Sequence, residues 1–216
     1  MSAEPILKNY YIISSGILLL AIGMFIMHYE KKRPQTREIV TLSVLSALAV
    51  VSRSAFAMIP FFKPMMGIIM ITAMAFGPGA GFLTGTVAAF VSNFIFGQGP
   101  WTPWQMFAYG IGGALAGVLT KRKIMEENKR LITAIIGYLV VQLIVGPILD
   151  TSSIFIMGNA VQENYLLTIY IAGIIPNAVH GLATFLTLLL MAKPMLEKLN
   201  RIKIKYGMAG GQSYEI

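Results

Sequence analysis

The chain has 216 residues, 56% of them hydrophobic and only 12% charged, with a mean hydropathy of +0.71. That composition excludes an ordinary water-soluble domain and reads as an integral membrane protein in a lipid bilayer. The net charge of +8 does not indicate a nucleic-acid partner, because the basic residues cluster between apolar runs, and the lack of cysteine excludes disulfides, thiol nucleophiles and thiolate metal sites.

The first apolar run, Asn9–His28, gives about 30 Å of helix, enough to cross the hydrocarbon core. Only Lys8 precedes it and Lys31, Lys32 and Arg33 follow it, which suits a retained anchor better than a cleaved signal. A second span runs from Glu38 to about Ile59 and is stopped by Pro60 and Pro64. Its small residues Ser43 and Ala47 share one face and permit close approach of another helix. Met65–Phe76 is too short to cross upright unless it is tilted or sheltered by protein. Further spans follow at Ala80–Phe96, Trp104–Thr120, Leu131 to about Leu149, and Tyr165–Ala192. The segment Asp150–Gln162 between the last two reads as a cap on the bundle, and the tail from Lys193 as a frayed end.

Seven spans with the N-terminus outside and the C-terminus cytoplasmic place 14 of the 17 Lys and Arg residues on the cytoplasmic side. That bias is what positive-inside orientation requires. The pairs Gly113/Gly117, Gly85/Ala89 and Gly110/Ala114 provide close helix contacts and point to a compact bundle.

No phosphate-binding G-x-x-x-x-G-K-[ST] is present, so the chain does not itself hydrolyse ATP. No H-E-x-x-H or G-x-S-x-G occurs either, and His28 and His180 do not make a metal site. No cofactor, metal or catalytic residue is expected.

What remains is a set of polar residues on the outward side. Arg53 has two readings, a snorkelling arginine or a contact to a ligand or to Asp150. Asn93 serves either a helix–helix hydrogen bond or a ligand. The stiff loop from Gly97 to Gln105 carries Gln98, Trp101 and Trp104, with Tyr109 one turn on; it is either an aromatic belt or a wall for a bulky, amide-bearing ligand. Pro176 kinks the last span beside Asn177 and His180, while Gln142 and Tyr170 face the same region with less support.

The order of a small-residue helix, a proline-bounded loop, a short helix, the FGPGAGFLTG turn at Phe76–Gly85, a proline-aromatic loop and the GIGGALAGVL helix at Gly110–Leu119 resembles the substrate-binding S components of energy-coupling factor (ECF) vitamin transporters. The resemblance covers roughly residues 37–198. It implies an all-α membrane fold with a six-helix substrate-binding core at 37–198, an added N-terminal anchor helix and basic loop at 1–36, and a cytoplasmic tail at 199–216.

By the same resemblance, Ser43 and Ala47 match the small-residue face that docks on a transmembrane coupling subunit, with serine in place of the usual alanine. Two ATPase subunits encoded elsewhere are implied as partners. The loaded S component would topple in the membrane to release its vitamin inward. The loop Pro60–Pro64, with Phe62, would cover a pocket open to the outside of a bacterial cell. The proline-tryptophan loop looks most like cobalamin members: a corrin with its amides suits Trp101, Trp104, Gln98 and Gln105, and His180 would approach cobalt. Pantothenate, another vitamin or a nucleobase-like ligand stays open. So do two readings of another class: a scaffold, or a membrane enzyme whose titratable groups would be Arg53, Asp150 and His180.

Overall fold

The computed structural model describes residues 36–157 and 163–208, together with Gly16 and Gly23. The expected anchor helix Asn9–His28 lies outside the described residues, apart from those two glycines. Seven helical segments follow: α1 (Thr36–Ala55), α2 (Met65–Phe76), α3 (Pro78–Phe96), α4 (Thr102–Lys121), α5 (Arg130–Val140), α6 (Gly146–Met157) and α7 (Glu163–Lys205). A π-helical turn, Val141–Val145, joins α5 to α6 without a break, so the described residues form six rods. This is an all-α integral membrane protein.

The short α2 is the axis of the bundle. Eleven of its twelve residues are buried, and a helix apolar on every face must be enclosed by protein. The shelter demanded by its length is supplied by α1, α3, α4 and α7, all of which pack on it. Among the described residues, four helical stretches are long and apolar enough to cross a membrane: Thr36–Ala55, Pro78–Phe96, Arg130–Ser153 and Leu167–Lys205.

Helices α3 and α4 approach with their backbones in contact. A methyl group at Gly85 would strike the Tyr109 carbonyl, one at Gly113 the Gly81 carbonyl, and one at Gly117 the first residue of α3. The paired glycines of the sequence therefore mark this seam, where dispersion between bare backbones replaces side-chain packing.

Several boundaries differ from the sequence reading. The second span ends at Ala55, and residues 56–64 form turns, with Phe61 at φ +61°. The Gly77–Gly81 hinge contracts to Gly77 alone, whose φ of +95° turns the chain before Pro78 opens α3. Pro103 likewise starts α4 at Thr102, so the loop is shorter than expected. The largest difference is α7, a single 43-residue helix that continues through Pro194 to Lys205, so the tail read as frayed is helical that far.

Candidate functional site

At one end of the bundle, Arg53 closes the last turn of α1 and is 8% exposed. Its guanidinium donates to Ser92 Oγ and to Asn93 Oδ1 (3.1 Å) on α3 and lies 4.3 Å from the Phe96 ring centroid. It is neither snorkelling nor paired with Asp150. Asn93 passes the connection on, donating to Thr102 Oγ1 at 3.0 Å and to Gln105 Oε1 at 2.9 Å at the start of α4. Gln98 donates to the Phe90 carbonyl and accepts from Thr102. A charge in this setting is tolerable because acceptors and an aromatic face surround it.

This network stitches α1, α3 and α4 together and occupies the amides expected to line a ligand wall. Trp104 is buried at 6% exposed, whereas Trp101 is 37% exposed and lies across Gly99. Phe62 packs on Phe56, with ring centroids 5.2 Å apart, in the turn after α1.

A second cluster forms where α4, the π turn, α6 and α7 meet. Asn177 Nδ2 donates to Asp150 Oδ2 at 2.8 Å. Tyr109, fully buried, stands edge-on to His180, with ring centroids 5.7 Å apart. Tyr170, exposed at the rim, exchanges a hydrogen bond with Thr151 at 3.0 Å.

The polar atoms here are incompletely satisfied. Tyr109 Oη, Gln142 Oε1 and His180 Nε2 are buried without a hydrogen-bond partner among the described residues. Each such group costs about 1–3 kcal/mol if nothing meets it, and native folds rarely leave several close together. The π turn contributes directly: its wider ring re-aims Gln142, whose Nε2 reaches the Ile174 carbonyl only at 3.5 Å. Proline 176 adds a bend to α7 just before Asn177. Polar and aromatic groups from α4, the π turn, α6 and α7 thus meet here, the mixture of groups that small-molecule sites use.

The structure therefore gathers Tyr109, Asp150, Asn177 and His180, with Gln142 beside them. It places Arg53, Asn93, Gln98 and Gln105 in a separate network, and leaves Trp101 and Phe62 toward the periphery. Sequence reasoning missed Gly146 and Gly173: they are the floors on which Asn177 and Asp150 rest. Among the described residues no three His, Cys, Asp or Glu side chains group as metal ligands.

On α1 the residues Val40, Ser43, Val44, Ala47, Leu48 and Val51 are all exposed, a stripe that no other part of the described chain covers. Its centre is the Ser43/Ala47 pair.

Residues 32–197 match the family model described as ECF-type riboflavin transporter, S component. The riboflavin transporter RibU of Staphylococcus aureus (strain TCH60) is 30% identical over 183 residues, covering 78% of this chain and 95% of that relative. No solved structure matches the chain.

Proposed function

The chain belongs to the ECF-type riboflavin transporter S-component family, and on that premise we propose that it captures riboflavin at the Tyr109–Gln142–Asp150–Asn177–His180 cluster. As an S component it is a vitamin-binding membrane subunit that works with an ECF module, not an enzyme class. The Arg53 end faces outside and the Lys203 end faces the cytoplasm, in keeping with the basic residues gathered at the latter.

The observation that carries the reading is that three buried polar atoms on packed segments lack partners among the described residues: Tyr109 Oη on α4, Gln142 Oε1 on the π turn and His180 Nε2 on α7. Riboflavin offers a flat ring with an imide that donates and accepts, and a chain of hydroxyls; these would complete the missing hydrogen bonds. Supporting riboflavin over the corrinoid expected from the proline-tryptophan loop are the name of the relative and the internal use of Gln98 and Gln105. His180 is 3% exposed and edge-on to Tyr109, which suits a narrow planar ligand better than a macrocycle around cobalt.

Docking on the coupling subunit falls to the exposed Ser43/Ala47 stripe of α1, and the two ATPases of the module supply the energy. The deciding experiment titrates the purified protein in detergent into riboflavin and follows quenching of flavin fluorescence. Saturable one-to-one quenching is expected. Titrations flat for riboflavin but saturable for cobalamin or pantothenate would overturn the substrate assignment.

A further inference from the structure

At 43 residues, α7 is about 65 Å long, roughly twice the thickness of a hydrocarbon core. Its last turns therefore project beyond the membrane at the end opposite the ligand cluster. They are not bare: Leu196, Leu199 and Met208 are 4%, 6% and 3% exposed.

The segment from Lys203 to Met208 holds two other helices. Lys203 Nζ donates to the Ala75 carbonyl at 2.7 Å and lies 5.5 Å from the Phe76 ring centroid, at the last turn of α2. A cation there meets an orphan carbonyl and the negative end of the helix dipole. Arg37, in the first turn of α1, donates to the Tyr206 carbonyl at 3.3 Å, with its guanidinium carbon 5.4 Å from the Tyr206 ring centroid. One turn further along α1, Thr41 Oγ1 lies 3.9 Å from Met208 Sδ.

None of these contacts touches the ligand cluster. Those of Tyr206 and Met208 meet the foot of α1, just before the exposed stripe centred on Ser43 and Ala47, while Lys203 ties the same segment to the end of α2. We propose that the 203–208 segment is a clasp that fixes the foot of α1 and so presents the Ser43/Ala47 face to the coupling subunit, with Arg37 and Lys203 as its positioning residues. The clasp rests on the reading of α1 as the docking helix. It also makes α7 one continuous rod from the ligand residues Asn177 and His180 to the docking helix.

Because the chain has no cysteine, the double variant T41C/M208C provides a specific reporter in the full-length protein. Mild oxidation of the isolated protein should cross-link that pair, and adding Arg37→Ala should slow the reaction about fivefold or more. Arg37→Ala and Lys203→Met, each in the otherwise unchanged chain, should lower capture of the ECF module by about five- to tenfold while leaving riboflavin affinity within about twofold. Oxidised T41C/M208C should restore capture to the Arg37→Ala chain, and the retained riboflavin affinity of that chain separates loss of the clasp from loss of folding.

Module capture by Arg37→Ala and Lys203→Met equal to that of the parent overturns the clasp, whatever the behaviour of the cysteine pair. A parent chain that captures no module overturns the docking reading beneath it, a result distinct from normal capture by the variants.

Discussion

Asn177 on α7 and Asp150 on α6 share a 2.8 Å hydrogen bond, and each side chain lies over a glycine of the opposite helix, Asn177 over Gly146 and Asp150 over Gly173. The two helices thus interlock through one reciprocal pair of knobs and notches. The arrangement holds the cluster's only carboxylate in place.

Removing the amide tests that lock. Asn177→Ala leaves a half-buried carboxylate without its donor and a hollow above Gly146, and should weaken riboflavin binding about 10- to 100-fold. Fluorescence titration measures it; unchanged affinity would take Asn177 out of the site.

Filling the notch should act by geometry instead of chemistry. A methyl at Gly173 would strike the Asp150 carboxylate. Gly173→Ala is expected to cost about 1–3 kcal/mol, lowering the melting temperature by several degrees and loosening ligand binding with it. A thermal melt with and without riboflavin separates the two effects.

Tyr109→Phe distinguishes a ligand group from a structural one. The Tyr109 hydroxyl has no partner in the described fold, so its loss should leave the ligand-free protein equally stable or more so, yet reduce riboflavin affinity about tenfold. A drop in ligand-free stability would show that the hydroxyl supports the fold.

On the proposed docking stripe, Ala47→Leu adds a branched side chain to a face that the described chain leaves exposed. Uptake driven by the ECF module should fall about tenfold while binding by the isolated chain is retained. Normal uptake would remove Ala47 from the interface.

A pH dependence follows from Glu127, in the turn between α4 and α5. Burial first, and the nearby Glu197 carboxylate second, hold its acid form above the usual carboxylate value, with Lys193 opposing. A carboxylate with a raised value in the folded state favours folding fully only at acid pH; this contribution is lost as pH rises from the unfolded value through the folded one. Glu127→Gln should therefore melt higher than the parent at pH 8, by no more than about 2 °C given its exposure, and equally at pH 4. Equal melting at both values would show that the strain is fully screened.

The membrane class, the short buried helix and the α3–α4 seam were legible in the sequence because hydropathy, helix length and glycine spacing are local quantities. The S-component class was legible for the same reason, since its Gly-Pro turn and small-residue helices are contiguous motifs; the member was not, because the proline-tryptophan loop pointed to cobalamin while the family model and the relative are riboflavin transporters. Residue types also flagged Tyr109, Asp150, Asn177 and His180, since polar groups in apolar helices require a purpose.

Which of the flagged residues meet was decided only by the tertiary structure. Gln98, Gln105 and Arg53 carry the same functional groups as a ligand wall, but their partners lie on α3 and α4: Phe90, Ser92 and Asn93 on the first and Thr102 on the second. No local pattern states that Asn93 will occupy Arg53 and Gln105. The π turn that aims Gln142, the two glycine floors under Asp150 and Asn177, and the return of Tyr206 to Arg37 all arise from contacts between distant segments. Hydrogen-bond satisfaction depends on what the packed neighbours supply, and packing is a property of the assembled bundle.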